Sequence, residues 1–173
     1  MGYVDHKDLI KKISMKKSIL LLFLLPLISC SLFTNENDGY EVALAKWEES
    51  KLVDYEYRYD LGCFCPQLTP AVLVINADTV YRILDPFERD SVMVQTGENT
   101  YEYAGEVYKD FFKTIDELFE VIKDARGADK LKVEYNEENG FPTKIEIDYD
   151  KNTSDDEVLY TVSNFIPYRI IAH

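Results

Sequence analysis

Histidine is nearly missing from this chain. Of 173 residues only His6 and His173 carry an imidazole, and none lies between them. A Ser-His-Asp triad, a Cys-His pair and a His-rich zinc site each need an imidazole as base or ligand. The body of the chain is therefore closed to those chemistries unless His173 folds back onto it. Positive charge is scarce too: 19 Lys and Arg stand against 32 Asp and Glu, a formal net charge of −13. Nucleic-acid affinity rests on basic side chains neutralising phosphates, so such a surface repels nucleic acid and anionic headgroups alike. Cysteine is limited to three residues and tryptophan to one. Aromatic content runs the other way, with 13 tyrosines and 9 phenylalanines, which argues against disorder despite the charge.

The first cysteine has its own context, "MKKSILLLFLLPLISC". Lys16 and Lys17 precede an apolar run from Ile19 to Ile28, and Leu27, Ile28 and the small Ser29 lead into Cys30. This order resembles a bacterial lipoprotein signal. The run is about half of the roughly 20 apolar residues that a spanning helix needs, and it contains Pro26, so a cleaved signal fits better. The resemblance implies cleavage before Cys30, diacylation of its thiol with chains such as palmitate, and acylation of the new amino group. Two or more acyl chains make attachment stable, each buried methylene contributing about 0.8 kcal/mol. Residues 1–14 are then expected to be an upstream extension, 15–29 the signal peptide, 30–39 a polar tether and 40–173 a single domain. Ser31 in place of Asp after the lipid site points, by analogy with enteric lipoproteins, to the outer membrane. Residues 1–29 hold five lysines and two aspartates, so the remaining 144 residues keep 14 basic and 30 acidic side chains. That length suits one domain with its own core.

Periodicity supplies the fold class. "GYEVALAKWEESKLV" has a loose helical pattern through Val42, Leu44, Ala45, Trp47 and Leu52. "VDYEYRYDL" alternates as a strand, with Tyr55, Tyr57 and Tyr59 on one face and Glu56 and Arg58 on the other. "AVLVINADTVYRILD" reads as two strands about a tight turn at Asn76 and Asp78. "DSVMVQTG" is a further strand or a loop, and "NTYEYAGEVYKDFF" has no single reading. "TIDELFEVIKDARGA" is a helix with Thr114 and Glu117 as a capping box, an apolar face of Ile115, Leu118, Phe119 and Ile122, and Gly127 at its end. The hairpin "LKVEYNEENGFPTKIEIDY" alternates on both arms about Asn139-Gly140, and "EVLYTVSNFIPYRII" adds a last strand. Short connections throughout predict an α+β fold: an antiparallel sheet of about five to six strands with two helices packed on one face.

"CFCP" after a tyrosine-rich strand, "TIDELFEVIKDA", "NGFPTKIEID" and "DDEVLYTVSNF" together resemble an uncharacterised family of bacterial secreted and lipoprotein domains, over most of residues 50–166. The resemblance implies compartment and fold, with no activity attached.

Export places Cys63 and Cys65 where disulfides persist. With Cys30 lipidated, each is the other's remaining partner. Three readings stand side by side: a structural disulfide at a strand end, a redox-active pair, and a soft-metal site. No Lys or His neighbours the pair to depress a thiol pKa, and two thiolates would need further ligands from elsewhere. Tyr55, Tyr57 and Tyr59 read as a half-buried sheet face, or as a stacking platform. "DYDKNTSDDEVL" begins like a calcium loop at Asp148, Asp150, Asn152 and Ser154, but has Thr153 and Leu159 where glycine and glutamate belong, so it reads as an acidic turn. Asp78-Thr79 lacks the glycine and the second copy of an aspartic protease, and among 30 acids chance carboxylate pairs are plentiful. These residues lead to a membrane-anchored cell-envelope lipoprotein with a non-catalytic binding or scaffolding domain. It is expected to use no cofactor or metal, to meet the membrane through its lipid and to bind a protein or small molecule whose identity the residues do not specify. The alternative is an envelope redox or soft-metal-handling protein built on Cys63 and Cys65.

Overall fold

The computed structural model describes residues 36–168. The upstream extension, the expected signal, Cys30 and His173 lie outside them. The described chain is mixed α and β. Helix α1 (Glu36–Ser50) leads into strands β1 (Tyr55–Gly62), β2 (Ala71–Asn76) and β3 (Thr79–Leu84). A small hairpin of β4 (Met93–Gly97) and β5 (Thr100–Tyr103) follows, then the short helix α2 (Ala104–Val107) and a 3-10 turn at Lys109–Phe111. Helix α3 (Ile115–Asp124) comes next, and β6 (Lys130–Tyr135), β7 (Pro142–Asp148) and β8 (Glu157–Pro167) complete the chain. Six strands form one sheet in the order β3-β2-β1-β8-β7-β6, and every neighbouring pair is antiparallel. The first of the described strands thus lies at the centre beside the last of them. β4 and β5 form a separate two-stranded sheet; the sequence pattern around them, with exposed side chains on both faces, carries no alternation that would have marked it.

The alternation of β1 decides where the core lies. Tyr55, Tyr57 and Tyr59 are all fully buried, which makes them core residues rather than a half-buried face or an exposed stacking platform. A buried phenol must find a hydrogen-bond partner, and all three find one in the segment that enters α3. The Tyr59 hydroxyl donates to the Phe111 carbonyl at 2.8 Å. The Tyr57 hydroxyl donates to the Lys113 carbonyl. The Tyr55 hydroxyl accepts from the Ile115 N–H at 3.1 Å. Residues two apart on β1 meet residues two apart on the segment, because both run extended and in opposite directions. The Thr114 side chain accepts from the Glu117 N–H and the Glu117 carboxylate accepts from the Thr114 N–H, so the capping box starts α3 where the ladder ends. Ile115, Leu118, Phe119 and Ile122 are buried as the periodicity requires.

The buried face of α1 differs from the expected one. Tyr40, Ala43 and Trp47 are buried, with Leu44 half-buried, while Val42 is 58% exposed and Ala45 is exposed. Positions 40, 43, 44 and 47 make a true helical stripe, and it is aromatic at both ends. The Tyr40 ring meets Phe119 edge-on at 5.7 Å, and the Trp47 ring meets Tyr55 at 5.4 Å. The Trp47 indole N–H donates to Asp116 at 3.1 Å. The helix also begins at residue 36, inside the stretch expected to be tether. In the β6–β7 hairpin Ile145 and Ile147 are buried, but Tyr149 lies beyond the end of β7 and is 48% exposed. Gly140 has φ +78°, and a Cβ there would come within 2.1 Å of the Ala43 carbonyl oxygen. This turn touches the α1 backbone directly.

Three outcomes are expected. Tyr57→Phe leaves the Lys113 carbonyl without its donor and should cost about 1–3 kcal/mol in urea denaturation. Burial, as the largest cause, raises the phenol pKa of Tyr55, Tyr57 and Tyr59 above the ordinary 10.0. Their contribution to stability is therefore complete below pH 10 and is lost as pH rises past it. A spectrophotometric titration should show three phenols that ionise only as the fold opens. Gly140→Ala should lower the melting temperature, since both the backbone conformation and the Ala43 contact oppose a side chain; an unchanged melting temperature would contradict the close approach.

Candidate functional site

The cysteine motif sits immediately after β1, at the end of the sheet where β2 begins and β3 ends. The sulfurs of Cys63 and Cys65 are in direct contact, with α-carbons 5.2 Å apart. That separation is within the range bonded cysteines occupy. Both cysteines are half-buried, whereas Phe64 between them is 86% exposed. The bend is anchored from behind by Thr69, whose hydroxyl accepts from the Leu61 N–H at 3.1 Å and lies 3.2 Å from the Leu61 carbonyl. Pro70 has no N–H to give, and the Thr69 side chain extends the β1–β2 pairing at that point. The consequence is a short tip with a fixed base and an outward phenyl ring.

A second turn flanks the tip. The Asp85 carboxylate accepts from the Phe87 and Glu88 N–H groups, each at 2.8 Å. Those two bonds hold its carboxyl below the usual carboxylate range. Arg89 follows with φ +65°, which lets the chain turn back so that the Asp85 N–H reaches the Asp90 carbonyl at 2.8 Å. Phe87 on this turn is 80% exposed, with the Arg58 guanidinium 5.9 Å from its ring centroid. Between tip and turn lies an open groove of about 500 Å³ whose apolar lining includes Leu68, Pro70, Val92, Met93 and Tyr108. The turn is tied to the sheet by Glu56. Its carboxylate accepts from Arg89 at 2.8 Å and from the Tyr168 hydroxyl at 2.5 Å. The Arg89 hydrogen bond, opposed by desolvation and aided by Tyr168, lowers the Glu56 pKa.

The other sequence candidates resolve into structural work. In the loop that begins like a calcium site, Asp150 accepts from the Asn152 N–H and side-chain amide. Asp156 accepts from the Asp150 N–H, and Asp129 from the Lys151 N–H. Those carboxylates close the loop on itself, and among the described residues no three His, Cys, Asp or Glu converge to hold a metal ion. Asp78 occupies the β2–β3 turn at φ +56°. Desolvation, followed by the charges of Asp116 and Asp54, raises its pKa. Those neighbours are engaged elsewhere: Asp116 by Trp47, and Asp54 by the Asn76 side chain and the Ala77 N–H. The exposed Phe87 and the Glu56–Arg89–Tyr168 cluster were not legible in the sequence, because the partners are 33 and 112 residues from Glu56.

A profile described as a family of unknown function (DUF6174) matches residues 39–167. No curated protein and no solved structure matches the chain. Among the described residues no helix is long and apolar enough to cross a membrane.

The Glu56 cluster yields an acid-side expectation. A lowered pKa means that its contribution is present above the ordinary glutamate value of 4.5 and disappears as pH falls through the depressed folded value. Glu56→Gln should therefore reduce stability near neutrality and flatten part of the decline below pH 4.5. Urea midpoints measured from pH 2.5 to 7 check this, and a parallel shift at every pH would contradict it.

Proposed function

Since the chain belongs to DUF6174, a family of unknown function, over residues 39–167, we propose from its own chemistry that it is a lipoprotein of the bacterial cell envelope, with a non-catalytic domain that binds or scaffolds. The signal-like order ending in Leu27-Ile28-Ser29-Cys30 supports the anchor. Cys30 is its lipidated first residue, and the short stretch before α1 keeps the domain close to the membrane, in this reading the outer membrane. Residues 36–168 form one α+β domain in which α1 and α3 cover the tyrosine face of the sheet.

The observation that carries the binding reading is the direct contact of Cys63 and Cys65. In an oxidising compartment the two are bonded to each other, so neither thiol is free as nucleophile or metal ligand. What the bond accomplishes is geometric: it fixes a bend that holds Phe64 outward. Closing so small a ring removes little entropy from the unfolded chain, so the bond contributes about 1–2 kcal/mol.

Two measurements test this. Intact-mass analysis of protein extracted from membranes should give a chain beginning at Cys30 with acyl mass added. A chain that retains residues 15–29 without lipid would sink the anchor. Alkylation of freshly isolated protein should label neither Cys63 nor Cys65 until reductant is added. Two readily labelled thiols, or stoichiometric copper or zinc in the purified protein, would transfer the assignment to redox or soft-metal handling.

A further inference from the structure

The six-stranded sheet ends in β3 on one side and β6 on the other. The β3 side is partly met by its own chain. Leu84 bridges to Ser91, the Val92 N–H donates to the Ile83 carbonyl at 3.0 Å, and the Ile83 N–H donates to the Tyr103 hydroxyl at 2.6 Å. β6 is different: among the described residues its only strand partner is β7. A groove of about 450 Å³ runs beside it, lined on its apolar side by Tyr40, Ile122, Leu131, Val133 and Tyr135. Leu131, Val133 and Tyr135 are half-buried there, core side chains with one flank uncovered.

We propose that β6 is a dimerisation edge, pairing antiparallel with β6 of a second copy of this chain about a two-fold axis at Val133. The charges on the strand select both the occupant and the register. The Asp129 N–H donates to the Tyr149 carbonyl, and backbone groups alternate in direction along a strand. Leu131 and Val133 therefore bond to β7, while Lys130 and Lys132 turn their backbone groups outward, as does the Glu134 N–H; the Glu134 carbonyl accepts from the Thr143 hydroxyl on β7 at 3.1 Å. A two-fold pairing can centre on any residue from Leu131 to Glu134; centring on Leu131 sets Lys130 against Lys132, and centring on Glu134 sets that carboxylate against itself. Centring on Lys132 sets that ammonium against itself, and like charges directly opposite are destabilising. Centring on Val133 sets Lys132 against Glu134 of the second copy, and symmetry repeats the pair. In each pair the Glu134 N–H then donates to the Lys132 carbonyl of the other copy. On the groove side Val133 meets Val133, and Leu131 meets Tyr135, which closes the uncovered flank of the core. The register shift of β6 falls between Glu134 and Tyr135, so the regular ladder of this pairing ends at Glu134 and Tyr135 contributes its side chain only. In the single chain Lys132 Nζ lies 3.1 Å from Glu134 Oε1, and both side chains are more than half exposed. Dimerisation exchanges the two local pairs, one in each copy, for two cross-strand ones.

Sedimentation equilibrium of the full chain in density-matched detergent tests the proposal, with thermal unfolding as a check on folding. The native protein should be a dimer at micromolar concentration. Lys132→Glu alone and Glu134→Lys alone each place like charges at both cross-strand positions and should weaken association about tenfold or more. The double variant Lys132→Glu with Glu134→Lys should restore it to near the native value. A native monomer would overturn the proposal and leave Lys130 and Lys132 as guards of a free edge. A dimer indifferent to both single reversals would overturn it equally, because the contact would lie elsewhere or in the lipid.

Discussion

Three phenol rings cannot be buried in a row unless their hydroxyls are satisfied, and this domain is arranged around that demand. Tyr55, Tyr57 and Tyr59 supply much of the core volume, yet each brings a polar atom into a region without water. The segment from Phe111 to Ile115 answers them in order. Because the rungs are two residues apart on both sides, the segment must stay extended until Ile115. The Thr114–Glu117 box then begins α3 at the first residue the ladder releases. Trp47 and Phe165 close over the same rings, so α1 and β8 are placed by the same constraint.

Charge does its work around the periphery. Among the described residues six Lys and Arg side chains pair with carboxylates, and several other carboxylates accept backbone N–H groups instead. Asp54, Asp85, Asp150 and Asp156 each hold a turn or loop in this way. A backbone N–H is a partner available to an acid when lysine and arginine are few, which reconciles an acidic sequence with ordered loops.

What could be read in advance follows how local each signal is. The alternation of residues 55–59, the capping box, the hairpin about Asn139-Gly140 and the two strands around Ala77-Asp78 depend on near neighbours, and all are present in the fold. The antiparallel sheet followed from short connections. The apolar face of α1 is only partly legible: Trp47 is buried as its pattern requires, but Val42 and Ala45 are apolar and turned outward, while Tyr40 is amphipathic and turned in. The local signal for β4 and β5 is weak: "DSVMVQTG" reads as either strand or loop, "NTYEYAGEVYKDFF" has no single reading, and the side chains of both strands are largely exposed. The tip at Cys63–Cys65 was visible as a motif, but the flanking Asp85–Asp90 turn that completes the groove depends on Glu56 and Tyr168, contacts that periodicity does not encode.

The pairing of β1 with β8 bears on the time course of folding as well as on its end state. Ribosomal synthesis delivers the central strand first and its neighbour last. Until Glu157–Pro167 exists, β1 has an open side and Phe165 is missing from above Tyr55. Contacts this distant in sequence form slowly, because the loop must close before they stabilise anything. A nascent chain of this topology cannot complete the centre of its sheet until Glu157–Pro167 has been made.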